Sequence, residues 1–136
     1  MLNPSTADST QDDRTIRRCI SFSLREGCAG LAVWNLFAFR ATDPAAMKAA
    51  DDPVGPANDT YLRQGLALAS GPIIAGWGVH GSFMNRGQVV LDMFGDRLKC
   101  LGRTKDGHPR HPLYLRSDAP LRPLAERSAE NCGTPR

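Results

Sequence analysis

The chain has 136 residues, 41% of them hydrophobic and 23% charged, which suits one domain that folds without disulfide or metal cross-links. Its formal net charge of +3 is too small to indicate a nucleic-acid partner by itself, and no apolar run approaches the roughly 20 residues that span a bilayer. The four cysteines lack paired spacing and no signal peptide is recognisable, so we expect reduced thiols, a cytoplasmic protein and no membrane partner.

The first residues of the chain have the pattern of a loop that follows a strand. Asn3, Pro4 and Ser5 form a polar turn sequence, yet only Met1 and Leu2 precede it. In a parallel α/β domain such a turn follows a buried strand. We therefore expect that a first strand, central in the sheet, is missing at the N-terminus of this chain.

A helix is predicted after this turn. Ile16, Ile20 and Leu24 recur every four residues with Cys19 beside them, which places apolar side chains on one helix face. Gly27 is a typical stop signal. The spacing predicts that this face packs on the core.

The rest of the chain alternates between apolar runs and helical patterns. Buried strands are predicted at 31–37, 73–77 and 98–101; helices are predicted after Asp43, after a cap at Asn58 or Asp59, and over 82–94. This alternation predicts a three-layer α/β/α fold with a small parallel sheet of three to four strands. We expect residues 1–116 to form this domain and residues 117–136 to form a loosely ordered tail.

Polar clusters follow the apolar runs at regular positions. Asn3 begins the first cluster, and Asn35 lies near the end of the apolar run 31–37. Trp77 begins another cluster at the end of the run 73–77, and residues 104–111 follow the last predicted strand. Parallel α/β sheets bind ligands outside the carboxyl ends of their strands. We therefore predict that Asn35, Trp77 and the 104–112 loop share one edge of the sheet, and that this edge carries the functional site.

The amide of Asn35 needs partners among apolar neighbours, because leaving such a group unpaired costs roughly 1–3 kcal/mol. It either braces a neighbouring loop or reads the edge of a ligand. Asn3 and Ser5 offer an amide and a hydroxyl around the rigid Pro4, and the alternative is a simple side-chain-stabilised turn.

The loop after the last strand combines basic and imidazole side chains. Lys105, His108, Arg110 and His111 lie among prolines and suit a phosphate or a developing negative charge; the alternative is a solvent-exposed loop. Residues 97–116 carry six basic side chains against one acidic side chain, and a second basic group comprises Arg14, Arg17, Arg18 and Arg25. For both groups the alternative is a solvated face.

Metal and cofactor signatures are missing from the sequence. Cys100, His108 and His111 lack zinc-site spacing, so no metal is predicted. The chain has no phosphate-binding loop of the Walker type, no dinucleotide fingerprint and no nucleophile elbow, so no cofactor is predicted either.

Several segments together resemble domain-of-unknown-function family 1643, and the resemblance extends to about residue 116. The segments are 1–8, 12–18, 35–44, 52–56, 77–78 and 105–115. The family name implies no activity.

A second, shorter resemblance is to the uracil-DNA glycosylase superfamily, through Asn3-Pro4, Asn35, Trp77-Gly78 and His111-Pro112. It implies a parallel four-stranded sheet between helices. It also implies that Asn3 positions the attacking water, that Asn35 reads the base and that His111 stabilises the leaving base. The chain departs from that pattern by having no catalytic Asp in the first loop and a His-Pro pair further from its strand.

The leading hypothesis is a nucleobase- or nucleotide-directed enzyme that cleaves an N-glycosidic bond, with a nucleobase, nucleotide or nucleic acid as partner. Asn3 and His111 are its expected catalytic residues, and the expected substrate contacts are Ser5, Asn35, Trp77, Lys105, His108 and Arg110. The alternatives are a non-catalytic nucleotide-binding or regulatory module and a structural partner domain without a ligand. The sequence leaves the oligomeric state open.

Overall fold

A computed structural model describes residues 1–4 and 10–125, with side chains described from residue 14 onward in the first helix. Within these ranges the helices are α1 (Thr10–Arg25), α2 (Pro44–Lys48), α3 (Asn58–Ala67) and α4 (Arg86–Phe94), and the strands are β1 (Ile73–Ala75), β2 (Leu98–Cys100) and β3 (Arg122–Pro123). Short 3-10 segments cover Val79–Asn85, Gly95–Arg97 and Pro112–Tyr114.

The three strands form one sheet in the order β1-β2-β3. β1 and β2 are parallel, with Ile73 beside Leu98 and Ala75 beside Cys100. This pair confirms two of the three predicted strands and the α/β class. β3 runs antiparallel to β2, so the sheet is mixed rather than wholly parallel. The chain returns to β3 through loops and a 3-10 segment, and an antiparallel neighbour needs no helical crossover.

Both faces of the sheet carry apolar layers. Ile73 and Ala75 face the larger core, which includes Leu62 of α3 and Val90 of α4. Ile74 packs on the opposite side against a second cluster. That second cluster comprises the buried residues Phe22 of α1, Leu101 and Ala119. This alternation is the expected period of a strand covered on two sides.

The run 31–37 is not a strand in the described structure, so that prediction is wrong. Leu31 and Val33 are 43% and 41% exposed, and only Leu36 and Phe37 at the end of the run are buried. Unbroken apolar runs resemble buried strands, but a strand also needs a partner. Among the described residues, 29–33 have no backbone hydrogen-bond partner, whereas residues 34–37 lie against the first two residues of the chain.

The predicted end of α1 is confirmed but its predicted packing face is wrong. Gly27 adopts φ +78°, and its N–H donates to the Leu24 carbonyl at 3.0 Å, as in a glycine helix stop. Ile16, Ile20 and Leu24 are all more than 40% exposed. Among the side chains of this helix that the structure describes, Phe22 is the buried one, at 3% exposure.

Two arginines explain why α1 packs through Phe22. The guanidinium groups of Arg18 and Arg25 lie over the Phe22 ring, each 5.1 Å from its centroid. Arg18 donates to the carbonyls of Pro112 and Leu115, and Arg25 donates to that of Ser117 at 3.1 Å. These contacts hold the helix against the segment that follows the last loop.

Of the three remaining helices, α2 begins as the local signals predict, whereas α3 and α4 differ from the prediction. Asp43 accepts a hydrogen bond from the Ala45 N–H at 2.9 Å and caps α2, as predicted. α3 begins after Ala57, so neither Asn58 nor Asp59 is its cap. α4 begins at Arg86 instead of residue 82, because Met84 and the residue after it have positive φ angles that interrupt the helix.

The segment 117–125 takes part in the core. Ala119 and Leu124 are buried, and β3 pairs with β2 within this segment. The sequence analysis placed these residues in the tail; the tail stays a prediction for residues 126–136, which lie outside the described residues. In the part of the chain that the structure describes, no helix is long and apolar enough to cross a membrane.

We expect Leu124→Ala to lower the free energy of unfolding by about 2–4 kcal/mol, because it would leave a cavity in the larger core. The matched control is Leu68→Ala, since Leu68 is 85% exposed and its truncation should change stability by less than about 0.5 kcal/mol. Urea unfolding followed by tryptophan fluorescence measures both. Equal effects of the two substitutions would show that residues 117–125 do not belong to the folded unit.

Candidate functional site

Three segments meet at the carboxyl end of β1. The Gly78 N–H donates to the Pro109 carbonyl at 2.8 Å, which joins the residues after β1 to the last loop. A Cβ placed on Gly76 would lie 3.1 Å from Pro112 Cδ and 3.6 Å from Met1 Sδ. A side chain here would fit tightly, because Pro112 would have to shift by a few tenths of an ångström. Trp77, the loop and the start of the chain therefore share this edge, as predicted for the first two.

Asn35 lies at the same edge. The peptide groups on either side of it pair with Met1, whose amine donates to the Trp34 carbonyl and whose carbonyl accepts from the Leu36 N–H, both at 3.0 Å. The Asn35 side chain is half-buried, and it forms no hydrogen bond with another residue of the described ranges.

The backbone beside Asn35 is held by three donors at one carbonyl. Leu36 O accepts from Arg86 Nε at 3.1 Å, from Arg86 Nη2 at 2.9 Å and from Asn58 Nδ2 at 2.8 Å. Asn58 Nδ2 also donates to the Asn35 carbonyl at 3.0 Å. Asn35 therefore sits on a backbone that α3 and α4 hold from two directions.

Arg86 is a residue that the sequence analysis missed. It is only 4% exposed, and its Nη2 forms an ion pair with Asp59 Oδ1 at 2.7 Å. Burial of a guanidinium requires such partners. A signal was present in the sequence, because Arg86 precedes Val90 by four residues and so shares its core-facing side of α4.

The Asn3 side chain is engaged with the backbone. Its Nδ2 donates to the carbonyls of Phe39 at 3.1 Å and Ala41 at 2.9 Å, and lies 3.2 Å from that of Pro4. These contacts hold the first turn against residues 39–41. The amide oxygen is the part of Asn3 left for other chemistry. Ser5, the other predicted residue of this turn, lies outside the described residues.

The last loop is an ordered hairpin. Arg103 and Pro109 form an antiparallel bridge, and the Thr104 N–H donates to the His108 carbonyl at 2.8 Å. Lys105 is exposed at the tip. His108 is half-buried, and its N–H donates to Thr104 Oγ1 at 3.1 Å, so its backbone stabilises the turn.

The base of the hairpin carries arginines with different surroundings. Arg110 is exposed and donates to the Tyr114 carbonyl at 3.1 Å. Together with Arg103 and Arg116 it lines a shallow cleft of about 440 Å³. Arg103 donates to the carbonyls of residues 123 and 124, so it stabilises β3 as well as adding charge to the cleft.

His111 has a defined tautomer when neutral. Its Nδ1 accepts a hydrogen bond from the Leu113 N–H at 3.1 Å, which leaves the ring proton on Nε2. Burial lowers the pKa of His111, and the positive charge of the Met1 amine lowers this pKa further. At neutral pH the imidazole is therefore an uncharged hydrogen-bond donor.

An interior cavity is a separate feature. It has a volume of about 860 Å³ and extends through the interior between β1 and residues 29–36. Asn35, Trp77 and Pro112 contribute to its lining, whereas His111 and the hairpin tip do not. Trp77 is only 7% exposed and packs closely on Gly81, so it belongs to the core next to this edge.

The family model described as a protein of unknown function (DUF1643) matches residues 1–113. The chain belongs to this family. The match confirms the family predicted from sequence and includes every predicted site residue from Asn3 to His111. No curated protein and no solved structure matches the chain. The comparisons therefore do not support the resemblance to the uracil-DNA glycosylase superfamily.

We expect His111→Asn to reduce the loss of stability in acid. The unfolded imidazole has a pKa near 6.5 and the folded one a lower pKa, so the unfolded chain binds the proton more tightly. The stabilisation is complete above pH 6.5 and is lost as the pH falls through the lower folded pKa. Asparagine keeps an acceptor near the Leu113 N–H but does not titrate.

The measurement is the urea midpoint at pH 8 and at pH 5 for both proteins. The Met1 amine, whose pKa is lowered to about 6 from 8.0, titrates in both proteins, so the comparison between them isolates the effect of replacing the His111 imidazole. The variant should lose less stability between the two pH values than the parent. An equal or larger loss in the variant would contradict the buried, neutral state of His111.

Proposed function

We propose that the edge formed by Asn35, Gly78 and the 104–112 loop, which includes His111, binds a nucleobase or nucleotide and cleaves its N-glycosidic bond. The observation that carries this proposal is the neutral His111 with its proton on Nε2, at the same edge as an amide that has no partner in the described ranges. A neutral donor for the departing base and an amide that reads the base are two of the groups that such a reaction uses.

His111 stabilises the departing base. Cleavage of an N-glycosidic bond leaves negative charge on the base, and a positioned donor lowers the barrier by hydrogen bonding to it. Nε2–H supplies this donor because Leu113 occupies Nδ1. The half-buried position of the ring strengthens the interaction, since fewer waters screen it.

Asn35 reads the base and Asn3 orients water. A side-chain amide offers donors and an acceptor, which matches the alternating pattern on a nucleobase edge. The Arg86 and Asn58 contacts keep the Asn35 backbone in place, so little ordering is needed on binding. The Nδ2 of Asn3 is held by backbone carbonyls, and its Oδ1 is the atom that accepts a hydrogen bond from water.

The remaining predicted residues contact the sugar and phosphate. Lys105 and Arg110 are exposed on the hairpin, and their positive charges attract phosphate. His108, which lies between them in the sequence, and Ser5 of the first turn are the other proposed contacts. Trp77 forms the buried support beneath the base. For a polymeric substrate the base must be unpaired or flipped out of the helix before it reaches this edge.

A binding module without catalysis is the second candidate. The described residues of the first turn, 1–4, supply no carboxylate that could act as a base toward water. This feature favours a domain that recognises a nucleotide and does not cleave it. Binding without turnover in the experiment below would select this candidate.

We expect Asn35→Ala to weaken ligand binding about tenfold while leaving the unfolding midpoint nearly unchanged, because its side chain has no partner in the described ranges. The test screens uridine, other nucleosides and uracil-containing single-stranded DNA for binding and for release of free base. His111→Asn should abolish release and retain binding.

His80→Asn is the matched control, since His80 is exposed in the 3-10 segment after β1 and has no role in the proposal. It should behave as the parent does. A stability loss of roughly 1–3 kcal/mol in Asn35→Ala with unchanged affinity would show that Asn35 braces the fold. No binding of any nucleoside or oligonucleotide would contradict the proposal.

A further inference from the structure

The interior cavity of about 860 Å³ is lined by two helices and by extended chain. α1 covers one side of it through Cys19 and Phe22, and α3 covers the opposite side through Leu62 and Leu66. β1 and residues 29–36 form its other two walls. A central strand of an α/β/α domain is enclosed in this way, by helices on its two faces and by extended chain on its two edges.

The two extended walls expose backbone groups. β1 pairs with β2 on one edge, and its other edge faces the cavity. Residues 29–33 make no backbone hydrogen bond with any described residue. Exposed strand edges of this kind pair readily with another strand. A small ligand would leave most of these groups unsatisfied, whereas a strand satisfies both rows.

Met1 already occupies the end of this cavity as a strand residue. Its N–H group donates to Trp34 O and its carbonyl accepts from the Leu36 N–H, both at 3.0 Å. One residue that bonds to the neighbours on either side of Asn35 is the pattern of a parallel ladder. Residues ahead of Met1 on the same line would enter the cavity and run between β1 and residues 29–33.

We propose that this cavity is the binding site of a β-strand: an extended apolar segment attached ahead of Met1 that lies parallel to β1 and pairs with both walls. Leu31 and Val33, which are 43% and 41% exposed, would then be covered. The amine now buried at Met1, with a pKa lowered to about 6 by its burial, would become a peptide N–H that keeps the bond to Trp34.

This proposal is independent of the proposed function. The strand fills the interior up to Met1, whereas the proposed base site lies beyond Met1 at the carboxyl edge. The strand would also complete a set of parallel neighbours. Their order across the sheet would be residues 29–36, the added segment, β1 and β2.

The test attaches the pentapeptide Val-Ile-Val-Ile-Val ahead of Met1 of the full chain, and Gly-Ser-Gly-Ser-Gly as the length-matched control. The apolar extension should raise the urea midpoint by at least about 1 M over the control. It should also slow amide hydrogen exchange at least tenfold in residues 29–33 and in β1. The same conclusion holds if the protein with the apolar extension unfolds cooperatively and the protein with the Gly-Ser extension does not.

A matched pair of wall variants shows where the extension binds. Val33→Asp should remove the gain, because Val33 lines the cavity, whereas Val79→Asp should not, because Val79 is similarly exposed at 50% but lies outside it. Equal midpoints for the apolar and Gly-Ser extensions would overturn the proposal. A gain that survives Val33→Asp, or one that appears only with dimer formation in light scattering, would also overturn it.

Discussion

The carbonyl of Leu36 is the acceptor on which the arrangement of the site depends. It receives three N–H groups, two from the buried Arg86 and one from Asn58. Hydrogen bonds from a charged donor are stronger than neutral ones, and a buried guanidinium that loses a partner is costly. Asp59 completes the set by pairing with Arg86. One backbone position thereby ties the starts of α3 and α4 to the turn that carries Asn35.

These hydrogen bonds to Leu36 O explain how several polar groups can lie at one edge of such a small sheet. The backbone around Asn35 is held, Met1 pairs on both sides of it, and Gly76 permits Pro112 to approach at van der Waals distance. The hairpin then joins through the Gly78–Pro109 hydrogen bond. Backbone contacts therefore build much of this edge, and the side chains of Asn35 and Lys105 make no hydrogen bond with a described residue.

Local signals predicted much of the fold, and long-range partners decided the rest. The cap at Asp43, the stop at Gly27 and the parallel pair β1 and β2 follow from neighbouring residues. The run 31–37 failed as a strand because strand formation needs a pairing edge that its own residues do not contain. Arg86 was missed because its partners lie 27 and 50 residues away in the sequence.

The most direct test of this account is a double-mutant cycle between Arg86→Met and Asn58→Ala, measured by urea unfolding of the full chain. Because both side chains donate to Leu36 O, loss of one changes what loss of the other costs. We expect the two effects to be non-additive, with a coupling energy of about 0.5–3 kcal/mol. Strictly additive effects would show that the two residues act independently and that the Leu36 carbonyl does not join α3, α4 and the Asn35 turn.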